Sequence, residues 1–155
     1  MDTGDGPELC LGPVAESYPP QCSGPPVEGW DWASYRGTFD RVDDVRWGAY
    51  AVTGTWDGTT FTVAGAITAA LYDAVAPEEP VHPDVEQPRD EAELQEIADD
   101  LGAVDGGLPG AQGAYADGER VLVDVLYDDG SLQEWADATY GVGAVVVTGA
   151  LVDVG

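Results

Sequence analysis

Apolar positions recur with two periods along this chain, and the stretch from Glu119 to Val154 shows both most cleanly. Val121, Val123, Val125 and Tyr127 alternate with Leu122, Asp124 and Leu126. A period of two with β-branched residues predicts a strand. Only Asp124 breaks its apolar character, which places it inside a sheet and not at an edge. Asp128-Asp129-Gly130 ends the run. Ser131 as N-cap, with Glu134 three residues on, carries a capping-box signal. Leu132, Trp135, Ala136 and Tyr140 then share one helical face, and Gly141 is placed to stop that helix. Ala144 to Val152 reads as a second apolar strand, interrupted at Gly149. This order fits a parallel crossover; the shortness of the helix also admits antiparallel placement through another strand.

Upstream, Asp90 with Glu93 predicts a second capped helix. Leu94, Ile97, Ala98 and Leu101 follow at helical spacing, and Gly102 stops it. Ala111 to Tyr115 is a short strand, turned by Asp117-Gly118 into the strand from Val121. WGAYAVTGTW and TTFTVAGAI form a hairpin about Asp57-Gly58, with Tyr50, Val52 and Trp56 on one face. Gly48 and Gly54 mark bends or bulges of a curved sheet, the pattern of a small barrel of the oligonucleotide-binding type. Ile67 to Tyr72 continues as a further strand. Trp30 and Trp32 share one face of a strand over 28–35, and Asp40 to Asp44 is a loop.

These elements give an α+β chain. A β-rich N-terminal half, with an OB-like barrel as its candidate architecture, precedes a helix–strand–strand–helix–strand half. Four segments follow: a Pro-rich, disulfide-linked segment (1–27), a β-rich region (28–74), a Pro-rich acidic linker (75–89) and an α+β region (90–155). Residues 1–8 are expected to be weakly held. Residues 9–27 hold five prolines and both cysteines, and predict an irregular cross-linked segment.

Charge narrows the function classes. Five arginines and no lysine face thirty acidic residues among 155, a formal net charge of −25. Such a field repels phosphate backbones and anionic membranes, which counts against nucleic-acid partners. It speaks first to solubility, or to a salty or extracellular setting. Cys10 and Cys22, enclosing eleven residues, are too few for a zinc site. A disulfide in an oxidising compartment is the better reading, with two unrelated buried thiols as the other. No apolar run reaches transmembrane length. The acidic, Gly-rich start reads as the tether after a removed targeting segment. The chain is therefore expected to be the mature part of an exported protein, with a lipid anchor on its natural form as the one expected tie to a membrane.

Catalytic patterns are scarce. The only imidazole, His82, sits in the Pro-rich linker, a poor place for a base that must be held in geometry. There is no G-x-S-x-G, phosphate loop or dinucleotide fingerprint. Asp31 between Trp30 and Trp32, with Asp57 beside Trp56, is the pair a carboxylate-dependent glycosidase would use, but such adjacency arises by chance in so acidic a chain. Asp40, Asp43 and Asp44 are a calcium candidate, and Asp124, Asp128 and Asp129 a second. Neither matches an EF-hand loop, and a solvated acidic loop outweighs both. Trp30, Trp32 and Tyr35 are the candidate ligand-binding face, against core packing as the commoner use of large aromatics.

The runs ELCLGPVAESYPPQC, GWDW and WGAYAVTGTWDGTTFTV, with the closing DDGSLQEWADATYGVGAVVVTGAL, resemble a group of uncharacterised secreted or lipid-anchored proteins of high-GC Gram-positive bacteria. The resemblance spans Glu8 to Val154. It implies an extracellular or envelope location and the Cys10–Cys22 bridge, and carries no activity. The expectation is a non-enzymatic extracytoplasmic protein that binds a protein or envelope ligand. The alternatives are a carboxylate-dependent hydrolase and an acidic inhibitor or mimic that occupies a basic partner's site.

Overall fold

The computed structural model describes residues 1–11, 14–73 and 81–154. The chain divides into two compact units, Met1–Pro77 and Glu78–Gly155. It is mixed α+β, with its strand-rich part first.

In the first unit, β1 (Val27–Glu28) pairs parallel with β5 (Phe61–Thr68), and β5 pairs antiparallel with β4 (Tyr50–Trp56). A separate hairpin joins β2 (Asp40–Val42) to β3 (Val45–Trp47). The hairpin predicted about Asp57-Gly58 is present, with a longer loop. Asp57 Oδ1 accepts from the Thr59 and Thr60 amides at 2.8 and 2.7 Å, and Trp56 faces Phe61 across a four-residue turn. The expected irregularity at Gly54 is a bulge: Thr53 faces Gly65 and Gly54 faces Val63, which leaves Ala64 over. A Cβ at Gly54 would collide with the Thr62 carbonyl, so the residue must be glycine.

Several expectations for this half are corrected. Among the described residues the sheets are open and separate, and do not close into the OB-like barrel expected. The strand expected over 28–35 stops at Glu28. Asp31 draws the chain into a 3-10 turn over Trp32–Tyr35 by accepting from the Ala33 amide at 2.9 Å and the Ser34 hydroxyl at 3.1 Å. The Asp40–Asp44 loop is largely strand, and Asp43 at φ 50° supplies the left-handed turn residue between β2 and β3. Ile67 belongs to β5, but Ala69–Leu71 turns as a 3-10 helix in place of a further strand. Residues 1–8 are tied down: the Asp2 and Arg46 backbones exchange two hydrogen bonds of 2.8 Å, and the Val27 amide donates to the Pro7 carbonyl.

In the second unit, α1 (Glu91–Leu101) precedes β6 (Ala111–Ala116), β7 (Val121–Tyr127), α2 (Ser131–Tyr140) and β8 (Val145–Leu151). The sheet order is β6-β7-β8, antiparallel then parallel. The predicted element order holds, β7 is the central strand, and the crossover through α2 is parallel. Val121, Val123, Val125 and Val145 are fully buried with Leu94, Leu101 and Ala136, so both helices cover the same face of the sheet. The capping box of α1 forms in both directions, Asp90 with Glu93. That of α2 does not. Gly130 is its N-cap, and Asp128 does the capping: its carboxylate accepts from the Leu132 and Gln133 amides at 2.9 and 3.2 Å. A carboxylate three residues upstream of the expected serine meets two first-turn amides and carries charge to the positive end of the helix.

Part of the segment read as linker, residues 75–80, lies outside the described residues. Residues 81–89 are held to the second unit. Arg120 donates to the Pro83 carbonyl at 2.9 Å, the Glu86 amide to Val142, and Arg89 to the carbonyl of Tyr140 at the end of α2. Among the described residues no helix is long and apolar enough to cross a membrane.

Candidate functional site

The first unit carries a cavity of about 780 Å³ that is partly open to solvent. Three stretches distant in sequence build it. Pro7 to Leu11, Val14, Pro20 and Cys22 come from the Pro-rich segment; Val27, Trp30 and Trp32 follow β1; Trp47 to Val52, Val63, Ala69 and Tyr72 come from β3, β4 and β5 with the turn after it. Its surface is predominantly apolar.

Prolines and the cross-link shape the first wall. Cys10 and Cys22 form the expected disulfide, with Cα atoms 5.9 Å apart. Outside the bridge the two chain runs are zipped, the Leu9 amide donating to Pro25. Inside it, the Ala15 amide donates to Gln21, within the loop itself. The loop meets the rest of the unit through Tyr18, whose ring stands edge-on to Trp47 at 5.5 Å. A disulfide belongs to oxidising compartments.

Aromatic rings make the second wall. Trp30 stacks on Tyr35 at 4.4 Å and 9°, and meets Trp32 and Tyr50 edge-on at 5.3 and 4.8 Å. Trp32 is 8% exposed and packs on Phe39. The residues singled out as an exposed binding face are therefore brought together as the packed flank of a concavity. Trp30 and Trp32 line it, with Tyr35 behind Trp30. The Trp32 indole donates to Asp2 Oδ2 at 3.0 Å, across thirty residues. Burial would push the Asp2 carboxyl up, but the Gly4 amide, that indole, the Gly6 amide and the Arg46 charge together hold it below its ordinary value. Trp30 Nε1 is buried without a hydrogen-bond partner, a state that costs about 1–3 kcal/mol unless something meets it.

The other candidates lie elsewhere. Asp31 caps the 3-10 turn and Asp57 organises the β4–β5 loop; neither lines the cavity. Asp40, Asp43 and Asp44 are exposed on the β2–β3 hairpin, with Arg41 3.9 Å from Asp44. Among the described residues no group of three or more His, Cys, Asp or Glu is gathered as metal ligands would be. Asp128 and Asp129 instead accept amide protons at the start of α2. His82 lies in the strap along the second unit.

Sequence reasoning missed Trp47, Tyr72 and the Leu9–Leu11 wall. The available signal was apolar content without period: Leu9, Leu11 and Val14 in a segment too irregular to be a strand or helix. No protein-family model, no curated protein and no solved structure matches the chain.

Proposed function

We propose that the protein is a non-enzymatic binding protein of the cell envelope or extracellular space, and that its N-terminal unit holds a small apolar ligand in the Trp-lined cavity. The observation that carries this reading is the cavity itself. Its volume of about 780 Å³ falls within the range of small-molecule sites, roughly 300–1,000 Å³. The disulfide in its wall and the resemblance to secreted or lipid-anchored proteins support the location. A hydrolase is supported less well. Among the described residues each carboxylate whose pKa moves is moved down, by hydrogen-bond donors and, at Asp2 and Asp117, by nearby cationic side chains as well, whereas a general acid needs one raised.

The test is fluorescence titration with the neutral apolar probe N-phenyl-1-naphthylamine. Three of the five tryptophans line the cavity, so quenching or energy transfer reads binding directly. Val52→Phe fills the space, and Val14→Asp puts a charge on a half-exposed part of the lining; each should weaken binding by at least tenfold. Saturable binding indifferent to both substitutions would refute the cavity as the site.

A second reading has one observation of its own. Residues 78–155 carry nineteen acidic and two basic side chains, a formal charge of −17 against −8 for residues 1–77. That asymmetry favours an acidic inhibitor or mimic seated on a basic partner through the second unit. Capture of such a partner that survived high salt and needed only residues 78–155 would favour it over the cavity.

A further inference from the structure

The chemistry of the wall says what kind of ligand fits, given the cavity reading above. Its polar groups are mostly engaged already. The Tyr50 hydroxyl lies 3.0 Å from Thr38 Oγ1 and donates to the Thr38 carbonyl, and the Trp32 indole is spent on Asp2. No arginine, lysine or histidine lines the cavity. Glu8 is the one acidic residue of the wall among the described residues, and the Met1 ammonium is hydrogen-bonded to the Glu8 carbonyl at 2.8 Å, with burial pushing its pKa down. A saccharide placed here would give up its hydrogen bonds to water and find almost none in return. An anionic head group would meet Glu8 and the field of a chain of net charge −25, with no side-chain cation to receive it. The unmet donor Trp30 Nε1 is itself sealed from solvent, so it offers a ligand in the cavity no hydrogen bond, and the wall favours a ligand with little polar surface.

We infer that the ligand is a monomeric, uncharged amphiphile, such as a fatty alcohol or fatty ester, its hydrocarbon body in the cavity and a single hydroxyl or ester oxygen as its polar group. Capture of a monomer, in preference to docking on a bilayer, follows from the same field, which repels anionic membrane surfaces.

The experiment is displacement of N-phenyl-1-naphthylamine from the full chain at neutral pH and physiological salt. The competitors are decan-1-ol, decanoate of equal length, and cellotetraose. Decan-1-ol should displace the probe at about tenfold lower concentration than decanoate, because the carboxylate alone must be desolvated without a partner. Cellotetraose should not displace it. Val52→Phe and Val14→Asp should each weaken decan-1-ol; Val14, being half exposed, accepts substitution without loss of fold, which circular dichroism checks. Decanoate or cellotetraose competing as well as decan-1-ol, with both variants impaired, would overturn the ligand class and leave the cavity reading standing. Failure of the probe and all competitors to bind the folded, disulfide-bonded protein would end both. Co-sedimentation with phosphatidylcholine vesicles, without displacement by monomeric decan-1-ol, would make the ligand a membrane surface and overturn the inference.

Discussion

Gln133 holds the open edge of the C-terminal sheet, and replacing it should cost more than any polar surface residue normally does. Its side chain lies along β8 like a fragment of a fourth strand. Oε1 accepts from the Val147 amide at 2.9 Å, and Nε2 donates to the Val145 carbonyl and to Asp137 Oδ1, both at 3.0 Å. Exposed strand edges are pairing templates that proteins commonly blunt, and here one amide side chain satisfies two successive outward backbone groups. Gln133→Leu is the clean perturbation, because leucine and glutamine have similar helix propensities and α2 itself is spared. The two strand bonds are then lost together. Each is worth about 0.5–1.5 kcal/mol where water replaces the partner, and about 1–3 where it cannot. Val145 is fully buried and Val147 half-buried, so replacement is partial. The sum is about 2–3 kcal/mol, or about 10–20 °C in Tm for a unit of this size. Urea unfolding followed at Trp135, the only tryptophan of this unit, measures the loss. Hydrogen exchange at the Val147 amide checks its cause, and sedimentation should show concentration-dependent association through the freed edge. A loss below about 0.5 kcal/mol, or unchanged protection at Val147, would refute the reasoning.

Three further outcomes follow from the same structure. Cys10→Ser with Cys22→Ser, or reduction, should cost the first unit roughly 3 kcal/mol and weaken probe binding, since Leu11, Val14 and Pro20 are wall residues inside the loop the bridge closes; urea midpoints and probe titrations with and without reductant read both. Burial would push Asp117 up, but the amides of Arg120 and Glu119 and the nearby Arg120 and His82 charges hold it below its ordinary value. A depressed folded pKa contributes stability that is present above the unfolded value, about 3.9, and is lost as pH falls through the folded one. The fall in urea midpoint between pH of about 5 and 3 should therefore be smaller in Asp117→Asn than in the parent, and equal falls would contradict the assignment. Asp100 stands in the last turn of α1, which has no basic residue; Asp100→Lys should raise stability by about 0.5–1 kcal/mol through the helix dipole and a pair with Glu96, visible as a higher Tm that shrinks with added salt.

The C-terminal unit was legible because its elements carry their own signals. In α1 the apolar spacing, the capping box and the stopping glycine agree, and all three are realised. In β7 the alternation with apolar residues on both faces placed the strand in the sheet centre, where it lies. The miss at α2 was a competition between neighbours: Asp128 and Ser131 both suit a cap, and which one reaches the free amides depends on the left-handed Gly130 between them. The N-terminal unit was legible only at its hairpin. Two aromatics two residues apart read as one strand face, yet a single carboxylate, Asp31, was enough to coil the backbone between them. The cavity was not legible at all, since no local period marks a wall whose parts meet only in the tertiary fold. The bond from Trp32 to Asp2 spans thirty residues, and residues 1–8 looked weakly held because their partners, Arg46 and Val27, are remote in sequence.

The abundance of acid obscures the function in a specific way. Thirty carboxylates suggest carboxylate chemistry or cation binding, but many of them serve the backbone. Asp31, Asp57, Asp90, Asp117, Asp128 and Asp129 each accept an amide proton at a turn or a helix start. A carboxylate so used is held in place, and at Asp57, Asp117 and Asp129 the pKa is lowered, which is opposite to what a proton donor requires. The acids that remain free, on α1 above all, set a field that repels anionic partners. The cavity is the contrary environment: among the described residues its wall is largely apolar with Glu8 as its one acid, so the strongest discrimination available to it is exclusion of charge. Under the binding role proposed above, an apolar wall carrying Glu8 and set in a negative field selects first by what it keeps out. The decisive comparison is therefore between two ligands alike in length and different only in charge.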